Sequence, residues 1–340
     1  MKKRKWSLIY LLVNILVIVG IAFFDSNIGN IGQVFYQLDF QWIAAAIFSM
    51  FLFWFFDGLV VYYAAASILG IKLFIQSMRI SILGKYYNAV TPFASGGQPS
   101  QLYFLVRGGI PAGHASSILI IKFCVYQLII SLFSLVAFAF KGRFINEYSA
   151  LLFWAAVVGL AINAGGFLLT LALVARQNIL KKIADWLLTA LHKIKLVKDP
   201  DKVRGNIFKH IKDFHDGFVM IRENPKTMAV LGMLMAVEIT FLISIPYFIY
   251  RACGLNAAGW FEIAMVFMFL YLAVSFFPTP GATGASEGGY YLLFNLFIPQ
   301  QFLFLSMLLW RVVTYYMTIV VGAVIVLIDS VRGLTPHTRT

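Results

Sequence analysis

The 340 residues are 61% hydrophobic and only 12% charged, with a mean hydropathy of +0.85. That excludes an ordinary soluble domain, where the two shares are about half and about a quarter. The net charge of +13 would suit nucleic acid in a soluble protein, but the basic residues gather in the N-terminal tail and in residues 176–226, as cytoplasmic loops do under the positive-inside rule. The class is all-α, a polytopic integral membrane protein with no nucleic-acid partner, and attraction to anionic headgroups is a secondary gain.

A helix crosses about 30 Å of hydrocarbon in roughly 20 apolar residues. Lys2, Lys3, Arg4 and Lys5 precede the apolar run from Trp6 to Phe24. No small-x-small cleavage site follows it, so it reads as a retained first helix rather than a secretory signal. Gln41 to Leu69, Ala115 to Phe140, Ser149 to Val174, Thr227 to Tyr250 and Phe302 to Ile328 complete about six full spans.

Two further apolar stretches, Ile75 to Val106 and Trp260 to Phe297, are interrupted. The first break is Thr91-Pro92-Phe93-Ala94-Ser95-Gly96-Gly97-Gln98-Pro99-Ser100-Gln101. The second is Pro278-Thr279-Pro280-Gly281-Ala282-Thr283-Gly284-Ala285-Ser286-Glu287-Gly288-Gly289. Lipid tails cannot hydrogen-bond a backbone, so irregular chain at membrane depth survives only where protein buries it or a wet cavity bathes it. These are candidate broken or re-entrant helix pairs, and one in each half points to a substrate site.

With Lys2 to Lys5 inside, the loop with Asp25 and Asp39 is outside and both termini are cytoplasmic. The first broken segment then opens from the cytoplasm and the second, after Arg251, from the other face, as inverted repeats require. Lys141 and Arg143 fall outside as a mild exception to the charge rule. Ala89-Val90-Thr91 and Ala94-Ser95-Gly96-Gly97 faintly echo Ala273-Val274-Ser275 and Ala285-Ser286-Glu287-Gly288-Gly289. The expected organisation is an N-terminal half, residues 1–175, a basic connector, 176–226, a C-terminal half, 227–330, and a cytoplasmic tail, 331–340. Ile183, Trp186, Leu187, Leu191 and Ile194 give the connector the amphipathic pattern of helices lying on the membrane surface.

Ser95 and Gln98 have capping-box spacing, and Pro99 suits the first turn of the helix that follows. Free N–H groups beside Gly96 and Gly97 would make an anion site suited to phosphate. Thr283, Gly284, Ser286, Gly288 and Gly289 offer the same parts in the second break, with Pro278 and Pro280 ending the helix before it. Tight turns between packed helices are the alternative. Asp57, Lys122, Glu238, Glu287 and Arg311 are ionisable residues inside spans, each costing about 2.5 to 3.5 kcal/mol at the bilayer centre. They must be paired or hydrated, either as structural glue or as part of the site. Arg311 shares a helical face with Thr314, Tyr315, Thr318 and Gly322, and its guanidinium can fork onto a phosphate. Lys85 and Arg107 read as snorkelling to headgroups. Asn14, Asn163, Gln127, Ser131 and Ser134 read as partners between helices.

No catalytic residue stands out. Cys124 and Cys253 lack a CxxC or a nearby His pair, so neither disulfide nor metal is indicated, and with no Walker A sequence or other cofactor motif no cofactor is expected.

The two glycine motifs, Asn88-Ala89-Val90-Thr91-Pro92 leading into Ser95-Gly96-Gly97-Gln98-Pro99, and Pro278-Thr279-Pro280-Gly281 leading into Ser286-Glu287-Gly288-Gly289, resemble those of the lysylphosphatidylglycerol synthase transmembrane-region family. The resemblance runs from the first helix to about Ser330. It implies a flippase of the bacterial cytoplasmic membrane that moves a phospholipid, with aminoacylated phosphatidylglycerol as the best-known cargo and protection against cationic peptides as the outcome. The sequence ends at Thr340 without the soluble domain that transfers lysine, so translocation is expected rather than lysyl transfer. A lipid-modifying enzyme and a small-solute transporter are the alternatives, and a homo-oligomer is compatible with the sequence.

Overall fold

The structure, a computed structural model, describes residues 31–175 and 200–331, with scattered positions between 179 and 189. The expected first span, Trp6 to Phe24, lies outside them, as do Asn14, Ile183, Leu187, Leu191, Ile194 and the tail. The described residues are helical, without a strand. A short α1, Ile31–Tyr36, leads to α2, Phe40–Leu69. Asp39 caps α2 by accepting the Gln41 N–H, and Gly70, at φ 67°, ends it in the left-handed turn that glycine tolerates best. Then come α3, Phe74–Val90, and α4, Gly97–Arg107, either side of the first break. The long α5, Ala112–Tyr148, and α6, Ala150–Ala175, follow.

After the connector helix α7, Pro200–Arg222, Asn224 caps α8, Pro225–Ala252, by accepting the Thr227 N–H. Next are α9, Trp260–Val274, and α10, Ala285–Phe294, either side of the second break. Finally α11, Gln300–Arg311, continues through a π-helical stretch, Val312–Tyr316, into α12, Met317–Val331.

Five described helical segments are long and apolar enough to span a bilayer: Phe40–Leu69, Ala112–Tyr148, Ala150–Ala172, Pro225–Ala252 and Gln300–Asp329. They match the expected spans. α2 and α8 pack side by side at the centre: Ser49 donates to the Phe241 carbonyl at 2.8 Å, and Phe56 stacks on Phe241 at 5.7 Å. α9 is buried at every position from Ile263 to Leu270, among α5, α6 and α8, as expected of a helix apolar all round. α6 is the reverse, turning Leu151, Trp154, Val158, Leu168 and Leu169 outward as a lipid-facing wall.

The connector is anchored rather than loose. Ser117 of α5 donates to the Phe214 carbonyl of α7 at 2.8 Å, and Gly113 and Gly217 let the two helices approach closely. Trp186 is exposed. Lys141 pairs with Glu262 and Arg143 with Glu147, so the two apparent exceptions to the charge rule are each matched by a carboxylate. Gln127 does bridge helices, donating to the Asn163 carbonyl at 2.9 Å. Ser131, Ser134 and Asn163 instead donate to carbonyls four residues earlier in their own helices, the usual retreat of a small polar side chain in an apolar helix.

Candidate functional site

The two breaks are built on nearly one tetrapeptide. Thr91-Pro92-Phe93-Ala94 and Thr279-Pro280-Gly281-Ala282 differ only at the third residue. In both, the threonine is extended, with ψ 146° and 148°, because a following proline disfavours helix. The third and fourth residues are then left-handed, at φ 54° and 49° in the first turn and 62° and 51° in the second. Three of those four are not glycine, a strained conformation that persists only where surroundings enforce it. The two turns touch one another. Gly281 is forced to be small, since a Cβ there would lie 2.2 Å from the Tyr315 ring, and Tyr315 donates across to the Ala89 carbonyl at 3.3 Å. The echo between Ala94 to Gly97 and Ala285 to Gly289 is the weaker of the two internal matches. The Thr-Pro-x-Ala repeat was the better signal and was open to inspection in the sequence.

The glycine N–H groups expected to meet a phosphate are already engaged. Gly96 donates to Thr91 Oγ1 at 2.8 Å, Gly97 to Asn88 Oδ1 at 2.7 Å and Gly284 to Glu287 Oε2 at 2.6 Å. Gly288 donates to the Gly284 carbonyl within its helix. The capping box expected at Ser95 does not form: Ser95 donates to the Pro92 carbonyl and Gly96 precedes α4 without a side-chain cap, whereas at the start of α10 the Glu287 carboxylate accepts the Gly284 N–H, half of such a box, since glycine has no side chain to complete it. Gly289 lets α10 approach Leu270, and Gly288 faces open space.

Six of the charged residues within the helices form two clusters, while Asp329, also buried, pairs with Arg79. Lys122 donates to Asp57 Oδ2 at 2.6 Å, joined there by Ser81, and Lys85 Nζ lies 3.0 Å from Asp57 Oδ1 and 2.9 Å from Glu238 Oε1. Four helices, α2, α3, α5 and α8, thus meet in one neutral quartet. Lys85 does not snorkel: α3 belongs to a broken segment, so distance along the chain is no guide to its depth. In the second cluster Arg311 Nε donates to Glu287 Oε1 at 2.6 Å and Nη1 to the Gly281 carbonyl at 3.1 Å, while Nη2 has no hydrogen-bond partner among the described residues.

Both clusters open on one cavity of about 620 Å³, within the range of small-molecule sites. Its wall includes Lys85, Lys122, Asp57 and Arg311, with Gln98 from the first broken segment and Thr279, Gly281, Ala282 and Ser286 from the second. Ser95, Gly96, Gly97, Thr283, Gly284, Gly288 and Gly289 do not line it, nor do Glu238 and Glu287, which stand behind the cations. The carboxylates Asp57, Glu238 and Glu287 are at most 1% exposed, whereas Lys85 and Lys122 keep 22% and 13% of their side-chain surface. The cavity therefore presents Lys85 and Arg311 ahead of Glu238 and Glu287, with Asp57 beside Lys122 on the wall. It also reaches Ile162 and Gly166 in α6, and Ile162 belongs to the exposed, apolar flank of that span.

The π-helical stretch beginning at Val312 turns the helix after Arg311. Arg311, Thr314 and Tyr315 line the cavity, while Thr318 does not and Gly322 packs on Tyr86 instead. Such insertions recur at functional sites.

Residues 10–322 match the lysylphosphatidylglycerol synthase TM region. The chain belongs to that family. It is also similar to a UPF0104 membrane protein of Archaeoglobus fulgidus, 23% identical over 253 residues, covering 74% of this chain and 75% of the relative. The family match takes in both broken segments, both charge clusters and Arg311. In this member of the lysylphosphatidylglycerol synthase transmembrane-region family those features converge on a single cavity in a multi-pass membrane protein.

Proposed function

We propose that the protein is a lipid translocase that passes a phospholipid headgroup between leaflets through this cavity while the tails remain in the bilayer. The observation that carries the reading is the coincidence, in one cavity, of three cations with a flank at Ile162 in the middle of a lipid-facing span. A site for a soluble solute needs no lateral reach; a site for a tethered headgroup does. The broken segments supply polar backbone at depth, as transporter sites do, and their matched turns support two halves of inverted topology, residues 1–175 and 227–330, joined by the 176–226 connector. Gln98, Ser286 and Arg311 are the predicted phosphate ligands that line the cavity. Ser95, Gly96, Gly97, Thr283, Gly284, Gly288 and Gly289 serve the reading by shaping the turns and the helix starts. In this account the protein resides in the bacterial cytoplasmic membrane with both termini cytoplasmic.

The test is leaflet exchange in proteoliposomes carrying fluorescent phospholipids, read by dithionite quenching. The reading requires faster loss of inner-leaflet signal than in protein-free vesicles. Unchanged exchange for every anionic and zwitterionic lipid tried, with folded protein confirmed, would contradict it.

A further inference from the structure

We infer that Glu238 is a proton site, loaded when a headgroup phosphate enters the cavity and emptied when it leaves, so that lipid and proton cross together; the inference rests on the translocase reading and names the ion coupled to it. In the empty quartet two lysines balance two carboxylates, but the partners are unevenly shared. Asp57 has Lys122 and Ser81 on Oδ2 and Lys85 beside Oδ1. Glu238 has Lys85 on Oε1, and its Oε2 makes no hydrogen bond although the residue is wholly buried. The other titratable groups facing it are Tyr126 of α5 and Tyr271 of α9, whose hydroxyls hydrogen-bond each other and add no charge. Among the described residues α7 and α11 also touch α8, but neither brings a further charged group to Glu238, Arg311 being held by Glu287.

Lys85 and Lys122 both stand on the wall, so a phosphate bound there sets three anions around two cations. A buried carboxylate without compensation neutralises rather than stays charged. Glu238 is the group that yields, because it shares its one cation with Asp57 and its Oε2 can take a proton without displacing a partner. The carboxylate gains a proton from water on the loading side and is a neutral acid while the phosphate is present. It returns the proton to water on the other side when Lys85 again faces two carboxylates alone. The second cluster offers no such place: Glu287 gives one oxygen to Arg311 and the other to the Gly284 N–H.

The experiment is calorimetric titration of the purified full chain in detergent with short-chain phosphatidylglycerol, in buffers of differing ionisation enthalpy and over a range of pH around neutrality. Beside it stands leaflet exchange of fluorescent long-chain phosphatidylglycerol in proteoliposomes. The phosphodiester keeps its single charge throughout that range, so a proton taken up on binding goes to the protein. About one proton should be bound with each lipid, and affinity should fall by at most about tenfold per unit rise in pH, because a ligand that favours the protonated form is favoured by it equally. In vesicles made acidic inside, net movement should run from the inner to the outer leaflet. Glu238→Gln orphans no charge, since Lys85 keeps Asp57; it should bind the lipid with no proton uptake and a flat pH profile, and exchange it without response to the gradient. Binding without proton uptake by the parent protein, or unchanged uptake in Glu238→Gln, would overturn the inference and leave the translocase reading standing. Uptake that Glu238→Gln abolishes, with no exchange of any lipid, would support the proton site and overturn the translocase reading. No binding at any pH would overturn both. The parent's proton count and pH profile decide the matter even if the variant fails to fold.

Discussion

Arg311 is held by the Glu287 carboxylate and the Gly281 carbonyl, so truncating it does more than empty a binding site. Removing one partner of a buried pair costs about 3 to 5 kcal/mol, because the other charge is left uncompensated. Arg311→Ala is therefore expected to lower the melting temperature sharply as well as abolish exchange, which differs from a clean loss of function in a stable protein. Asp57→Asn should behave alike, since it leaves Lys122 without its carboxylate. Gly288→Ala should be neutral within about 0.5 kcal/mol, because a Cβ there meets nothing; thermal unfolding and exchange assays check all three. Arg311 was legible in the sequence as an intramembrane cation. Its engagement by Glu287 was not, because the two are 24 positions apart on two helices whose packing no local pattern encodes. Lys85 was misplaced for a related reason: a hydropathy profile measures depth along a straight span, and α3 is not one.

Among the elements, the two Thr-Pro-x-Ala turns carry opposite constraints at their third residue. Phe93 is exposed and left-handed, so Phe93→Gly relieves strain while losing chain stiffness and should stay within about 1 kcal/mol of the parent. Gly281 lies against Tyr315, so Gly281→Phe should destabilise by about 2 kcal/mol or more through overpacking and slow exchange by displacing Tyr315 from the wall. Comparable melting temperatures for the two variants would refute this asymmetry. Five spans and both breaks could be read from runs of apolar residues and their interruptions, because hydrocarbon thickness fixes helix length. The π-helical stretch after Arg311 could not, since one inserted residue of register leaves no compositional trace. The N–H groups of Gly96, Gly97 and Gly284 are engaged because Thr91, Asn88 and Glu287, all within nine residues of the groups they cap, fold back on the breaks.

At the scale of the whole molecule, stability alone gives no reason to enclose the six charges of the two clusters, since apolar residues of similar volume often serve as well or better. Their arrangement does give one. At an effective dielectric of about 20, a phosphate about 4 Å from a cation gains about 4 kcal/mol and loses roughly 2 kcal/mol to a carboxylate about 3 Å further away. Ion pairs aimed cation-first at a cavity thus attract an anion while remaining neutral when it is empty. The central claim is that a phospholipid headgroup occupies the space between the quartet and Arg311. Its most direct test is a cryo-electron-microscopy map of the protein in nanodiscs containing phosphatidylglycerol. The account predicts phosphate density within hydrogen-bonding reach of Arg311, Lys122 or Lys85, with tails leaving past Ile162. A cavity filled only by acyl chains, or holding ordered water while every headgroup stays at the membrane surface, would contradict it.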